Sequence, residues 1–96
     1  MKLIELDPRW FDEEGRHGQA ITFRSPRCPL NEEFWITIPF ANPIDGGTPY
    51  SNINSQFWQR SGDNFDNLTL TPSIELKLPA EQYWHGFITN GEVITV

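Results

Sequence analysis

Few side chains in this sequence could act as nucleophiles. The chain has one cysteine, Cys28, and two histidines, His17 and His85. Positive charge at Arg27 favours a thiolate at Cys28, but a lone cysteine without a local catalytic signature is usually a packed residue. Neither histidine falls in a recognised nucleophile motif. We therefore predict that the protein is not an enzyme.

Acidic side chains are the second candidate for chemistry. General acid–base catalysis needs carboxylates held in a site, whereas those found in turns are normally solvated. The pairs here fall in turn-forming sequence, so we predict a binding surface instead, and we add to it one acid and one tyrosine from a long loop. The predicted binding residues are Glu32, Glu33, Asp45, Tyr50, Asp63 and Asp66. Gly46-Gly47 leads into Thr-Pro rather than a helix, so we predict no phosphate-binding loop and no cofactor.

The negative charge is unevenly distributed along the chain. The net charge is −6, from 13 acids and 7 bases. Residues 1–27 hold five of each, whereas residues 28–96 hold eight acids against two bases. Such a chain is repelled by nucleic acid and attracted to basic surfaces. We predict a basic protein partner and disfavour direct nucleic-acid binding; a purely solubilising role for the charge stays open.

The length of 96 residues predicts one domain, with an N-terminal segment over 1–18 and a β core over 19–96. Residues 41–55 are rich in Pro, Gly, Asn and Ser and predict a long loop. A single cysteine is typical of a reducing compartment, and no apolar stretch reaches the length of a membrane span or secretory signal. We predict a cytoplasmic location and no membrane contact.

The elements that position these side chains are predicted to be strands. Pro or Gly occupies fifteen positions, and no clear helical period survives. The sequence predicts an all-β, small antiparallel, barrel-like domain with strands at residues 3–6, 19–23, 34–40, 56–60, 73–78, 84–89 and 92–96. One short helical turn is predicted over residues 8–14, with Asp7 as its cap and Gly15 at its end.

The clearest local signal is Asn90-Gly91, which tolerates positive φ at both central positions of a type I′ turn. It predicts that residues 87–89 pair with residues 92–94 in a C-terminal hairpin. Alternation along the strands then selects an apolar core. The predicted core residues are Ile36, Ile38, Trp58, Leu68, Leu70, Ile74, Leu76, Phe87, Ile88 and Ile94.

Three segments carry a resemblance to a known family. They read Phe-Arg-Ser-Pro-Arg-Cys-Pro at 23–29, Thr-Leu-Thr-Pro-Ser-Ile at 69–74 and His-Gly-Phe-Ile-Thr-Asn-Gly at 85–91. Over residues 20–96 the chain resembles small, mostly phage-encoded proteins of unknown function. That family has a Cys-Pro-x-Cys knuckle, a tryptophan strand, a Leu-x-Pro-Ser-Ile strand and a Cys-His-x-Phe-Ile hairpin.

The resemblance implies a zinc-ribbon-like site that this chain has largely lost. Ser25 stands at the first knuckle position, Cys28 keeps the second, and Trp84 replaces the hairpin cysteine before His85. Glu32 or Glu33 stands where the family has a histidine. Because two surviving ligands do not make a structural zinc site, we predict metal-free folding with Trp84 filling the former metal volume.

Together these features predict a non-enzymatic, phage-type interaction protein whose acidic surface binds a basic host protein. Inhibition of a host defence system, in the manner of an anti-CRISPR protein, is its specific version. Two alternatives stay open. The first is a degenerate zinc-ribbon-like nucleic-acid accessory protein with a basic patch at Arg24, Arg27 and Arg60, and the second is a virion assembly component.

Overall fold

Two antiparallel sheets make up the fold. The computed structural model describes residues 1–26, 35–49, 56–76 and 84–96. Within them the strands are β1 (Arg9–Phe11), β2 (Ala20–Arg24), β3 (Trp35–Pro39), β4 (Gln59–Ser61), β5 (Thr69–Leu76), β6 (Trp84–Thr89) and β7 (Glu92–Thr95), preceded by a 3₁₀ turn at Leu3–Leu6. The sheet orders are β1-β2-β3 and β4-β5-β6-β7. The predicted all-β antiparallel class is confirmed.

The two sheets are connected at both sides. Phe40, directly after β3, forms a parallel bridge with Trp58, directly before β4. On the opposite side the N-terminal residues pair with β7, where the Leu3 N–H donates to the Gly91 carbonyl at 2.8 Å. The chain then continues from Leu3 into the 3₁₀ turn and β1. These connections close the sheets around one interior.

Both sheets turn one apolar face towards this interior. In β3 the alternation is regular, since Ile36 and Ile38 are buried and Thr37 between them is exposed. Trp84 is fully buried, with its ring edge-to-face against Phe23 at 6.3 Å. The core consists of Leu3, Leu6, Ile21, Phe23, Ile36, Ile38, Phe40, Trp58, Leu68, Leu70, Ile74, Trp84, Ile88 and Val93.

The predicted C-terminal hairpin is confirmed in its register and its turn. Thr89 pairs with Glu92, and the two turn residues have φ of 49° at Asn90 and 77° at Gly91. A Cβ on Gly91 would lie 2.5 Å from the Asp66 carbonyl oxygen, so the turn packs tightly on the β4–β5 loop. Glycine is therefore required here for its conformation and for its size.

Two predictions for the N-terminal segment are wrong. Residues 3–6 form a 3₁₀ turn instead of a strand, because apolar residues three apart, Leu3 and Leu6, face the core together. Residues 8–14 contain strand β1 instead of a helical turn. Asp7, predicted as a helix cap, has φ of 50° and ends the 3₁₀ turn, and β1 then pairs with β2. Sheet pairing here outweighs the local Asp-Pro signal.

Other differences concern strand limits and the core. β5 begins at Thr69 and contains a register shift between Leu70 and Ile74, so it is longer than predicted. Phe87 and Ile94 are not core residues, since they are 42% and 51% exposed. The side chain of Leu76, and residues 50–55 of the predicted loop, lie outside the described part of the chain; residues 41–49 contain no strand.

Candidate functional site

The outward side of the four-stranded sheet is the candidate site. In β6, Trp84, Gly86 and Ile88 face the core, so His85 and Phe87 project to the other side. We call this side the outer face. It is formed by Gln59, Ser61, Thr69, Thr71, Ser73, Glu75, His85, Phe87, Thr89, Glu92 and Ile94.

Exposed apolar side chains lie on the part of the outer face that β6 and β7 form. Phe87 and Ile94 are direct cross-strand partners in β6 and β7, and both are about half exposed. Hydroxyl side chains surround them, including exposed Thr71 and Thr89. Exposed apolar side chains flanked by polar ones are typical of protein–protein contacts.

The charges of the outer face are acidic. Glu75 and Glu92 are its only ionised side chains among the described residues. Arg60, in β4, points away from this face: its Nε donates to the Asn42 carbonyl at 3.1 Å, and its guanidinium lies 5.8 Å from the centre of the Phe40 ring. At the margin, the amino group of Met1 is 3.6 Å from the Glu92 carboxylate.

Lys2 also lies at this margin, because it bridges to Glu92 in the antiparallel sense. The Met1 amino group and Lys2 therefore border the outer face beside β7. Glu75, in β5 on the other side of the apolar pair, has His85 as its cross-strand partner. The acidic character of the face is thus strongest towards β5.

Two predicted binding residues, Asp63 and Asp66, lie together near one end of the outer face. Both are exposed in the β4–β5 loop, which Asn64 and Asn67 hold by hydrogen bonds to backbone N–H groups. The Gly91 N–H donates to the Leu68 carbonyl at 2.9 Å, so this loop adjoins the hairpin turn. Both carboxylates are placed to extend the negative surface.

Asp45 lies elsewhere and is already engaged. Arg16 donates two hydrogen bonds to its carboxylate, from Nε at 3.0 Å and Nη2 at 2.9 Å. These bonds, reinforced by the Gly47 and His17 N–H groups, hold the pKa of Asp45 far below its ordinary value. This bidentate ion pair joins loop 12–18 to loop 41–49, and the positive charge of Arg16 balances the negative charge of Asp45 within the protein.

The other predicted site residues, Glu32, Glu33 and Tyr50, fall outside the described residues, as does Cys28. Two arginines of the basic patch in the alternative prediction lie on different sheets. Arg24 lies in β2 of one sheet, Arg60 lies in β4 of the other with its guanidinium turned inward, and Arg27 is outside the described residues.

Two histidine contacts bear on catalysis and metal binding. His85 Nε2 lies 3.4 Å from Ser73 Oγ, beyond the roughly 2.6–3.2 Å of an activated serine–histidine pair. His17 Nδ1 lies 3.0 Å from Asp12 Oδ1 at an exposed position. In the part of the chain that the structure describes, no group of three His, Cys, Asp or Glu side chains is placed to hold a metal ion.

The most informative residues of the outer face, Phe87 and Ile94, are ones that the sequence assigned to the core. In residues 84–89 each side of the strand carries a large apolar side chain, Trp84 and Ile88 on one side and Phe87 on the other, so the presence of such a residue does not by itself say which side is buried. The deciding feature is Trp84, which fills the interior and donates its Nε1–H to Thr95 Oγ1 at 3.0 Å. With Trp84 inside, Phe87 must be outside.

Comparisons with protein-family models, curated proteins and solved structures gave no match for this chain. The similarity to the phage family stays a prediction from the quoted motifs. Among the described residues, no helix has the length and apolar character needed to cross a membrane.

Proposed function

We propose that the protein is a binding module that presents the outer face to a basic surface of a partner protein. One observation carries this proposal: an exposed apolar pair, Phe87 and Ile94, on a sheet face whose described ionised side chains are both carboxylates. The apolar pair supplies contact area that a partner can desolvate. The carboxylates select a partner of opposite charge.

The two contributions act at different stages of binding. Net charge of −6 attracts a basic partner over a distance of about a Debye length and raises the association rate. Burial of the apolar pair then slows dissociation, since a few desolvated side chains carry most of the binding energy. Asp63 and Asp66 extend the attraction at one end of the face.

We further propose that the basic partner is a host defence complex. A phage-encoded chain of this kind would occupy a basic channel that a host defence complex uses for nucleic acid, and so inhibit that complex. The acidity of residues 28–96 and the resemblance to phage proteins support this version. It requires neither a metal nor a catalytic group.

The test compares two isoleucines of nearly equal exposure. Ile94 on the outer face is 51% exposed, and Ile4 on the 3₁₀ turn is 50% exposed. Ile94→Ser and Ile4→Ser are assayed by fluorescence polarisation against a labelled basic, apolar peptide and against an acidic peptide of equal length. We expect Ile94→Ser to weaken binding of the basic peptide about tenfold and Ile4→Ser to leave it unchanged.

Equal losses for the two variants, or equal binding of acidic and basic peptides, would contradict the proposal. A parallel pull-down from host lysate uses the same three proteins as bait. A genuine partner is retained by the wild type and Ile4→Ser and is lost with Ile94→Ser. Retention of single-stranded nucleic acid in a gel shift at low ionic strength would favour the nucleic-acid alternative instead.

A further inference from the structure

The inference concerns the Phe87 ring and rests on the proposed function. We propose that this ring is the binding site for an arginine side chain of the partner, with the guanidinium stacked on the ring and paired with a neighbouring carboxylate. The partner is then a protein whose basic surface carries at least one exposed arginine. This proposal follows from the strand register and from how the chain uses its own arginines.

The register places the ring between two carboxylates. Glu75 of β5 is opposite His85, and Glu92 of β7 is opposite Thr89. Phe87 is two residues from each of those partners, so it is the diagonal neighbour of both acids. Diagonal neighbours on one sheet face are about 7–8 Å apart, a span that one long side chain covers.

The ring is also available. Phe87 is 42% exposed, and its described ring neighbour is His85, at 6.4 Å between centroids and tilted by 33°. Among the described residues no cation lies over it. One face of the ring can therefore be covered by a planar group from outside.

The chain already pairs arginine with aromatic rings at two other places. The Arg9 guanidinium lies 5.6 Å from the centre of the Trp35 ring, and the Arg60 guanidinium lies 5.8 Å from the centre of the Phe40 ring. Both are internal contacts. Phe87 offers the same kind of aromatic surface, and here the cation would be an arginine of the partner.

Arginine fits this site better than lysine. Its planar guanidinium stacks on a ring and, at the same time, presents donors in its plane to a carboxylate. A lysine ammonium is a compact, strongly hydrated charge that makes one of these contacts at a time. Glu75 is the better partner for the guanidinium, because Glu92 already faces the Met1 amino group.

The test uses two peptides that differ only in carrying arginine or lysine at every basic position. We expect wild type to bind the arginine peptide roughly two- to fivefold more tightly than the lysine peptide, the ratio expected for an exposed cation–π contact. Phe87→Leu keeps an apolar side chain and should abolish this preference. Glu75→Gln should reduce it, whereas Glu14→Gln, in an exposed turn of the other sheet, should not.

The outcomes separate the two proposals. If neither peptide binds wild type, the proposed function fails. If both bind equally, or if Phe87→Leu weakens both by the same factor, the arginine site is wrong and the docking face stands. Circular dichroism on each variant is the control for the fold, and we expect spectra that match the wild type.

Discussion

The two sheets share one core but differ in their outward sides. On the outward side of β1–β3, the Thr22 and Thr37 hydroxyls lie 3.0 Å apart, and Arg9 covers the Trp35 ring. Described side chains on that side therefore contact one another. On the outer face of β4–β7, Phe87 remains exposed. The two outward sides therefore differ in apolar exposure: among the described strand residues, the large apolar side chains that are exposed, Phe87 and Ile94, both lie on the outer face.

The largest expected effect tests which side of β6 holds the fold together. Trp84→Ala removes a fully buried ring and its hydrogen bond to Thr95, and should lower the free energy of unfolding by about 3–5 kcal/mol. Phe87→Ala, three residues away on the same strand, should cost less than about 1 kcal/mol. Urea denaturation followed by circular dichroism measures both. Similar costs would remove the distinction between core and outer face.

The second prediction concerns the turn that aligns β6 with β7 on the outer face. Gly91 and Gly15 have nearly equal φ, 77° and 75°, but a Cβ would contact the Asp66 carbonyl at Gly91 and nothing within 4 Å at Gly15. Gly15→Ala should cost about 1 kcal/mol for conformation alone. Gly91→Ala should cost more, because the β4–β5 loop must also move.

The measurement is again the urea midpoint, combined with binding of the basic peptide. Gly91→Ala should weaken binding as well as stability, because the pairing of Phe87 with Ile94 depends on the turn. Gly15→Ala should leave binding unchanged. Equal losses of stability at the two glycines would show that the β4–β5 loop moves away from the added Cβ without a further loss of stability.

The sequence predicted the parts of the fold that local chemistry decides. Asn90-Gly91 specifies its turn, and β-branched residues specify β2, β3 and β6. It failed at Asp7 and Pro8, where the same residues suit a helix start or a strand entry. Pairing of β1 with β2 decides in favour of the strand, and such pairing between separate segments cannot be recognised from the local sequence.

The candidate site was harder to predict for the same reason. Counting acids located Asp63 and Asp66, which do lie together, but it could not show that Asp45 is bound by Arg16, 29 residues earlier. Nor could it show which side of β6 is buried. Exposure of an apolar residue depends on the whole packing arrangement, so Phe87 was identified only by the structure.

The third prediction tests Asp45, whose charge is held within the β1–β3 half. Because its pKa is lowered in the folded protein, its stabilising effect is present above the ordinary pKa and is lost as pH falls through the folded value. Asp45→Asn should therefore lower the thermal midpoint by a constant amount from pH 7 to about 5, and the difference should narrow progressively as the pH falls below about 4.

Asp63→Asn is the matched control for that experiment, since Asp63 is exposed in the other half of the molecule. It should leave the thermal midpoint unchanged and weaken binding of the basic peptide, whereas Asp45→Asn should do the opposite. If both substitutions changed binding equally, the affinity for the peptide would depend on the net charge of the protein and not on the acidic end of the outer face.

The smallest effect concerns the contact that covers the Trp35 ring. A double-mutant cycle with Arg9→Gln and Trp35→Leu should give a coupling of about 0.5–1 kcal/mol, the range of an exposed cation–π contact. Asp7→Asn separates this from the exposed Arg9–Asp7 ion pair, which contributes little. A coupling of zero would mean that the Trp35 ring is as free to bind a cation as Phe87, and the two outward sides would then differ in charge alone.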